Sequence, residues 1–267
     1  METPGYRFLR MSLPPRKENL IVIKYGGSLL EEPGHRSAFL KQVAALAKQR
    51  PLVLVHGGGK EITRAMEKAG LQARFVDGRR YTDDATMAVV ERVLAGLNKE
   101  IVGELKGQGA SPEGFSGRFE HLAEATPVSN LGRAGENLRV DGSVLGKILA
   151  RTALPVFYSV AEDARGEPLN INADDFALAL AMACGAGRLV FLTDSGGILG
   201  TDGRRIERID PAKAQQLMDG KVVTGGMIVK VQACIQALRA GVGSVDIVKG
   251  IDHLLSGAPA PGTVFLL

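Results

Sequence analysis

Two short, almost uninterrupted aliphatic runs, each followed directly by glycines, constrain the fold of this sequence more than any other feature. The runs are residues 20–25 (LIVIKY) and 52–56 (LVLVH). Strands that lack polar alternation are typical of a parallel sheet that is buried on both faces. Residues 35–48, between the two runs, have the apolar spacing of a helix. This strand–helix–strand order predicts an α/β protein.

The same alternation resumes after a less regular middle section. Residues 110–140 combine short β-like pieces with glycine, serine and two prolines, which is typical of hairpins or a flap. A soft boundary near residue 180 divides the chain into two halves, each with two glycine-rich loops. Elsewhere the pattern predicts helices over residues 61–69, 83–106, 142–152, 173–184, 211–218 and 227–240, and strands over residues 155–160, 189–193 and 244–248.

Composition and charge exclude several classes of protein. The chain has 267 residues, of which 45% are hydrophobic and 23% charged, so a disordered or fibrous protein is excluded. Its 33 Lys and Arg against 29 Asp and Glu give a net charge of +4 without a basic cluster, and only 5% of residues are aromatic. A nucleic-acid partner is therefore not expected. No apolar run approaches the length of a membrane span, so no membrane partner is expected either.

The N-terminal residues and the cysteines favour a cytoplasmic location. Residues 1–18 lack the apolar core of a secretory signal, and we expect residues 1–19 to form a flexible tail whose biological start is Met1 or Met11. Cys184 and Cys234 lie far apart in apolar, helical segments. Each is expected to be a small core residue, not half of a disulfide or a metal ligand, which fits a reducing compartment.

Simple counting excludes three common site motifs. A Walker A loop would need Ser or Thr after Lys60, but residue 61 is Glu. A dinucleotide-binding loop that begins at Gly57 would need Gly at position 62, which is Ile. The four histidines have no metal-ligand spacing, so a metal held by protein side chains is not expected.

Glycine clusters at predicted strand ends are the features that remain. Residues 24–28 (KYGGS) and 56–60 (HGGGK) each follow a predicted strand and precede a helix. Glycine lets backbone N–H groups approach an anion closely, and the start of a helix favours negative charge. On this pattern alone, Lys24 could also be a solvated strand-end residue, and His56 is expected to be packed and hydrogen-bonded instead of serving as a catalytic base.

Three further polar segments favour an anionic ligand. Residues 170–175 (NINADD) hold more amides and carboxylates than helix capping requires, and residues 193–199 (TDSGGIL) follow a predicted strand. Lys230 lies about one turn into a predicted helix, where the dipole disfavours a cation unless a polyphosphate is bound. Phosphoryl transfer fits this set of groups: two lysines, several loops that present backbone N–H groups, and one carboxylate. A nucleophile–base triad is not found in the sequence.

Six segments of the chain, in order and spacing, resemble the motif series of the N-acetylglutamate kinases within the amino acid kinase superfamily. The resemblance runs from about residue 20 to the C-terminus. The segments are residues 24–27, 55–59, 77–82, 169–174, 192–194 and 223–230. The resemblance implies a three-layer αβα sandwich with a central, mostly parallel sheet, the amino acid kinase fold, in which two lobes share the sheet. Residues 20–180 would form the amino-acid lobe with the dimer interface, and residues 181–267 the ATP-binding lobe.

The resemblance also implies an activity. Relatives phosphorylate the side-chain carboxylate of N-acetyl-L-glutamate with ATP, the second step of arginine biosynthesis, and the accompanying Mg²⁺ is held mainly by the nucleotide phosphates. A homodimer is expected. Lys24 and Lys230 would neutralise the phosphoryl group in transfer, and Asp174 would hold the two ammonium groups. Arg80 and Asn170 would bind the substrate's α-carboxylate, with backbone N–H groups of Gly57 and Gly58 beside the reacting groups. The nucleotide would contact both lysines and Gly26, Gly27, Asp194, Ser195, Gly196, Gly197, Ile198, Leu199, Val222, Val223 and Thr224.

Two departures from the family pattern leave alternatives open. Residues 114–120 (GFSGRFE) lose the usual continuation of the flap that encloses the acyl group, so an aminoadipate derivative or a carrier-bound acyl amino acid of lysine or arginine biosynthesis stays an alternative acceptor. The two chain ends lack the pattern of arginine-regulated relatives, so we expect an arginine-insensitive enzyme.

A nucleoside monophosphate or carbamate acceptor is disfavoured by Arg80 with residues 170–174. A non-catalytic amino-acid or nucleotide sensor with a signalling partner is disfavoured because Lys24, Lys230 and Asp174 are all retained.

Overall fold

Strands and helices alternate along the computed structural model, which describes residues 17–26, 33–76 and 78–267. The elements of the first half are β1 (Lys17–Tyr25), α1 (Pro33–Ala47), β2 (Leu52–His56), α2 (Gly59–Lys68), β3 (Phe75–Val76), β4 (Arg79–Arg80), α3 (Asp84–Gly107), β5 (Pro112–Ser116), β6 (Ala123–Pro127), β7 (Ala134–Val140), α4 (Gly142–Arg151), β8 (Leu154–Tyr158), β9 (Val160–Glu162) and β10 (Pro168–Ile171). Those of the second half are α5 (Ala173–Ala183), β11 (Ala186–Leu192), β12 (Arg208–Ile209), α6 (Pro211–Asp219), α7 (Gly226–Arg239), β13 (Ser244–Val248), α8 (Asp252–Ser256) and β14 (Thr263–Phe265).

One sheet of eight strands extends through both halves of the chain. Its order is β12-β14-β13-β11-β1-β2-β8-β5. The six strands from β13 to β5 are parallel, and β14 runs antiparallel to β13. In the centre, Ile21 of β1 pairs with Leu52 of β2 and with Arg188 of β11. Because parallel strands all end on one side, the loops after these six strands meet at a single edge, which we call the C-terminal edge.

Helices cover both faces of this sheet, and the side chains of β1 and β2 are therefore buried on both faces. Leu20 and Val22 belong to one apolar cluster, which includes buried residues of α4, α5, α6 and α7. Ile21 and Ile23 point to the opposite cluster, which includes buried residues of α1, α3 and α8. Each such side chain contributes about 1.5–3 kcal/mol when it is fully buried. The predicted three-layer αβα sandwich with a shared, mostly parallel sheet is confirmed.

Two smaller β units lie outside the large sheet. Strands β10, β7, β6 and β9 close into a four-stranded barrel, and β3 and β4 form a separate two-stranded sheet. The section predicted as hairpins or a flap supplies β5, β6 and β7, with a single 3-10 turn at Phe119–His121. Within that turn Glu120 and His121 adopt left-handed backbone with φ of 48° and 56°. Glu120 is the last residue of the stretch where the sequence departs from the family pattern, and His121 follows it directly.

The predicted elements are present, and their ends differ by a few residues. The predicted strand over residues 155–160 is divided between β8 and β9. Short elements without a clear pattern were missed by the sequence interpretation: β3, β4, β10, β12, β14 and α8. The N-terminal tail lies outside the described residues, except for its last three, which begin β1. The assignment of residues 20–180 to the amino acid and 181–267 to ATP stays a prediction.

The environments of the cysteines match their predicted core role. Cys184 and Cys234 are both buried and unpaired. Burial raises the pKa of the Cys184 thiol to about 12 and raises the pKa of Cys234 further. Both thiols are therefore protonated near neutral pH. No helix within the described ranges has both the length and the apolar character needed to cross a membrane.

Candidate active site

One carboxylate joins two lysines that are distant in sequence. Asp174 lies in the first turn of α5, Lys24 near the end of β1 and Lys230 in the second turn of α7. The Lys24 Nζ is 3.0 Å from Asp174 Oδ1, and Lys230 Nζ donates a hydrogen bond to Asp174 Oδ2. The structure therefore brings together the three residues that were predicted to be catalytic. We call this group the lysine–aspartate bridge.

Electrostatics keep the Asp174 carboxylate charged. Burial would raise its pKa, but attraction to Lys24 and Lys230 and their hydrogen bonds outweigh burial and lower the pKa to about 2. Lys230 Nζ also lies 4.9 Å from the ring centroid of Phe191, the residue that pairs with Lys24 across β11 and β1. At neutral pH the bridge carries two positive charges and one negative charge.

Local sequence explains why Asp174 is presented at this edge. Asn172 caps α5, since its Oδ1 accepts a hydrogen bond of 2.8 Å from the backbone N–H of Asp174. A carboxylate in the first turn is also favoured by the helix dipole. Of the polar residues in the segment 170–175, Asn172 is thus a cap, while Asp174 binds the lysines and Asp175 binds Arg79 at 3.2 Å.

Glycines after β2 bring a second helix start to the same edge. A Cβ at Gly57 would lie 3.3 Å from the Cβ of Ala173, and a Cβ at Gly58 would lie 2.8 Å from Leu94 Cδ2. The loop is therefore packed closely between α3 and α5, and a side chain at either glycine would require these neighbours to move. Gly58 caps α2 and contributes no side-chain hydrogen bond to the helix. The start of a helix favours an anionic ligand.

A cleft of about 410 Å³ opens between these two helix starts. This volume is typical of small-molecule sites. It brings together seven of the predicted site residues: Lys24, Gly26, Gly57, Gly58, Arg80, Asn170 and Asp174. Gly27, also predicted, lies outside the described residues. The cleft also includes Arg79, which the sequence interpretation missed although it adjoins Arg80 in the same motif.

Arg80 is held firmly at the wall of this cleft. One guanidinium nitrogen donates hydrogen bonds of 2.8 Å to the Gly59 carbonyl and to Thr63 Oγ1, and the group lies 4.6 Å from the Phe75 ring centroid. Burial lowers the pKa of Arg80, which still leaves it positively charged. Asn170 is fixed as well, because its Nδ2 donates to Thr82 Oγ1 at 3.1 Å.

The predicted nucleotide residues lie along the other part of the C-terminal edge, after β11 and before α7. In the loop after β11, Thr193 Oγ1 lies 2.7 Å from Ser195 Oγ and accepts a hydrogen bond of 3.1 Å from the N–H of Gly196. Gly196 has a φ of 63°, and Gly197 one of 142°. Ile198 is buried, whereas Leu199 is exposed. Before α7, Val223 is buried, Val222 is half-buried and Thr224 is exposed, and Asp194 lies in the first loop.

His56 is a packed residue, as predicted. Its Nδ1 lies 2.8 Å from the Gly57 carbonyl and its Nε2 lies 3.1 Å from Asn98 Nδ2. These partners fit a neutral ring that donates from Nδ1 and accepts at Nε2. Burial is the main reason that its pKa falls to about 4. Near neutral pH the ring is therefore uncharged, and each of its nitrogens has a hydrogen-bond partner.

The fold and this edge together define a class of protein. The sequence model of the amino acid kinase family matches residues 19–249, and the chain belongs to that family. A solved structure of a Streptococcus mutans UA159 protein superposes with a TM-score of 0.80 at 28% identity, with 93% of this chain and 99% of that chain covered.

Curated relatives narrow the family further. The acetylglutamate kinase of Endomicrobium trichonymphae is 36% identical over 236 residues, 88% of this chain and 95% of the relative. That of Synechococcus sp. (strain CC9311) is 43% identical over 244 residues, 88% of this chain and 85% of the relative. The chain is thus a member of the acetylglutamate kinases, and it is an enzyme of the kinase class.

Proposed function

We propose that this enzyme transfers the terminal phosphoryl group of ATP to the side-chain carboxylate of N-acetyl-L-glutamate, forming an acyl phosphate and ADP in arginine biosynthesis. The observation that carries the proposal is the lysine–aspartate bridge at the C-terminal edge, where both ammonium groups share one carboxylate. Membership of the acetylglutamate kinases supports the choice of acceptor.

The chemistry explains why such a bridge is sufficient. The acceptor oxygen already belongs to a carboxylate, so no strong base is needed to activate it. The main obstacle is the approach of two anions, and fixed cations with backbone N–H groups lower that barrier. In this proposal Lys24 and Lys230 neutralise the oxygens of the transferring group, while Asp174 keeps both ammonium groups in position. Removing one such stabiliser costs on the order of 10²- to 10³-fold in rate, or about 3–4 kcal/mol.

The cleft offers a matching site for the amino acid. We assign the α-carboxylate of the substrate to Arg80 and Asn170, because a planar guanidinium pairs well with a carboxylate and both side chains line the cleft. The N–H of Gly58, which caps α2, can face the reacting carboxylate, whereas the N–H of Gly57 already donates a hydrogen bond of 3.4 Å to the Tyr25 carbonyl and would have to exchange it for the substrate. The substrate would thus bind between two helix starts, with its side chain directed at Lys24.

Nucleotide and magnesium complete the proposal. We place ATP along the segments 194–199 and 222–224, with Lys24, Lys230 and the glycines at 26 and 27 near its phosphates. Both oxygens of Asp174 already face ammonium groups, and the part of the chain that the structure describes contains no cluster of three or more His, Cys, Asp or Glu residues suited to a metal. These residues fit a magnesium ion held mainly by the nucleotide phosphates. When bound, magnesium adds positive charge to the transferring group.

An acyl-phosphate assay tests the proposal. The protein is incubated with Mg-ATP and N-acetyl-L-glutamate, N-acetyl-aminoadipate, glutamate or UMP, the acyl phosphate is trapped as a hydroxamate, and ADP is measured in parallel. Turnover confined to N-acetyl-L-glutamate supports the proposal. If ADP is released but none of these acceptors raises the rate above background, the substrate belongs to another class, such as a carrier-bound acyl group. If no ADP is released under any condition, the sensor is favoured.

We further propose a cytoplasmic homodimer that forms through the half containing residues 20–180. The mass in solution, measured by light scattering coupled to size-exclusion chromatography, tests the dimer. A mass near 28.3 kDa, that of a single chain, would contradict it.

A further inference from the structure

Arg79 makes two contacts that the activity described above does not use. Its NH2 group donates to Asp175 Oδ2 at 3.2 Å, and its NH1 group donates to the carbonyl of Gly135 at 3.1 Å. Both contacts are partly buried. A single guanidinium therefore connects β4, on which Arg79 lies, with α5 and with β7.

Each of the three connected positions adjoins a residue of the proposed site. Arg79 precedes Arg80, Asp175 follows Asp174, and Gly135 pairs with Ile171, whose neighbour Asn170 pairs with Ala134. Arg80 is thus adjacent to Arg79 itself, and Asp174 is adjacent to Asp175, which Arg79 contacts. Asn170 is adjacent to Ile171, the strand partner of Gly135, which Arg79 also contacts.

The two-stranded sheet that carries Arg79 and Arg80 on β4 is stabilised by such a connection. β3 and β4 have two residues each and form a sheet of their own, apart from the eight-stranded sheet. An isolated hairpin is marginally stable at best in water. Directly after β4 the backbone anchors this segment, since Thr82 forms a β-bridge with Gly132. Within the small sheet, side chains add contacts to different walls of the cleft: Arg80 contacts α2, and Arg79 contacts α5 and β7.

We propose that Arg79 is a positioning residue that sets the distance between the acceptor's α-carboxylate site and the lysine–aspartate bridge, through Asp175 and Gly135. This inference rests on the proposed function. An acceptor held at its α-carboxylate reaches the transferring phosphoryl group only if the two sites are correctly spaced. A misplacement of about 1 Å can cost on the order of 10²-fold in rate.

The pair also differs from an exposed surface ion pair. The side chains of Arg79 and Asp175 are 26% and 12% exposed, so solvent screens them less than it screens surface pairs. The planar guanidinium serves two acceptors at once, which a lysine ammonium on a flexible stem does less well. Arg79→Lys should therefore restore only part of what Arg79→Met loses.

Kinetics of four variants test the proposal. For Arg79→Met we expect kcat/KM for the acceptor to fall by roughly 10- to 100-fold, with a loss in kcat as well as a higher KM, while KM for ATP changes by less than about twofold. Arg79→Lys should give an intermediate value. Asp175→Asn should shift the same parameters, and the double variant should be no worse than Arg79→Met, because the two residues act through one contact. Arg151→Met, which removes an arginine–carboxylate pair with Glu113 at the opposite edge of the sheet, is the matched control.

Hydrogen exchange gives a readout that does not depend on turnover. Amides of residues 74–82 should exchange at least roughly tenfold faster in Arg79→Met and Asp175→Asn than in the wild type, and should be unchanged in Arg151→Met. If the wild type fails to phosphorylate the acceptor, the proposed function fails, and exchange at the hairpin still decides the role of Arg79. Unchanged exchange, acceptor kinetics within about twofold of wild type, or additive effects of the two substitutions would each overturn the inference.

Discussion

Replacing Asp174 with Asn is the sharpest test of the lysine–aspartate bridge. Asparagine has nearly the same shape as a protonated aspartate, so the substitution removes the charge and leaves the packing. Lowering the pKa of Asp174 from 3.8 to about 2 corresponds to about 2–3 kcal/mol at roughly 1.4 kcal/mol per pKa unit. This is the net free energy by which the folded protein favours the carboxylate over its neutral form, after burial has offset part of the attraction to the two lysines.

The sign of the pH dependence follows from the direction of this pKa. A carboxylate whose pKa is depressed in the folded state stabilises the protein above about pH 4, and the contribution is lost as the pH falls through 4 towards 2. Asp174→Asn should therefore lower the free energy of unfolding by about 2–3 kcal/mol at pH 7 and by much less near pH 2. Its kcat should also fall by on the order of 10²- to 10³-fold, because the ammonium groups lose their common partner.

Urea unfolding followed by circular dichroism, at several pH values between 2 and 7, measures the difference directly. The control is Asp210→Asn, since Asp210 caps α6 by accepting from Lys213 N–H at 2.7 Å and asparagine caps equally well. The control should be neutral at every pH. If Asp174→Asn were as stable as wild type at pH 7, or if its deficit stayed constant down to pH 2, the electrostatic account of the bridge would be refuted.

Three further predictions address other parts of the site. In steady-state kinetics, Lys230→Met should lower kcat by on the order of 10²- to 10³-fold with little change in the KM for the amino acid. The control Lys213→Met, in the exposed first turn of α6, should leave kcat unchanged. An unaltered kcat in Lys230→Met would remove Lys230 from the mechanism. Gly225→Ala should lower the free energy of unfolding by about 1–3 kcal/mol, measured by thermal unfolding. The cost is backbone strain, because Gly225 has a φ of 57° and a ψ of −139°, and a Cβ there would meet no neighbouring atom. An unchanged stability would show that the loop relaxes freely. The His56 ring should remain neutral from pH 8 down to about 5, because its pKa is about 4, and neutral His56 stabilises the fold above about pH 6.5 with a contribution that is lost as the pH falls towards 4; an NMR titration midpoint near 6.5 would contradict this.

Much of the fold was predictable because its central strands leave little choice. Residues 52–56 form a strand with the predicted bounds, since each of its side chains is buried and the run is too short for a helix. Strands β3, β10, β12 and β14 were missed because they have two to four residues, and such short pieces are fixed by their partners instead of by their own pattern. The same reason explains why one predicted strand became β8 and β9.

Predictions for the site succeeded where a motif has a chemical reason and missed contacts between motifs. Charge and position drew attention to Lys24 and Lys230, the resemblance to the acetylglutamate kinases gave these two and Asp174 their roles, and the structure brings the three together. The pairing of Arg79 with Asp175 was not predicted, because it joins residues 96 positions apart with no periodic signal. His56 was predicted as packed, because a histidine at the end of a fully apolar run lies in the core.

The position of β1 at the centre of the sheet has a consequence for synthesis of the chain. Its neighbour β2 follows within about thirty residues, but its other neighbour, β11, begins at Ala186. At roughly 5–20 residues per second, the ribosome delivers β11 on the order of 10–30 s after β1. During that interval the free side of a strand with the sequence LIVIKY has no partner for its backbone groups. Such unpaired apolar strands promote aggregation, so a nascent chain of this topology needs protection, by a chaperone or by rapid translation, until the eleventh strand is made.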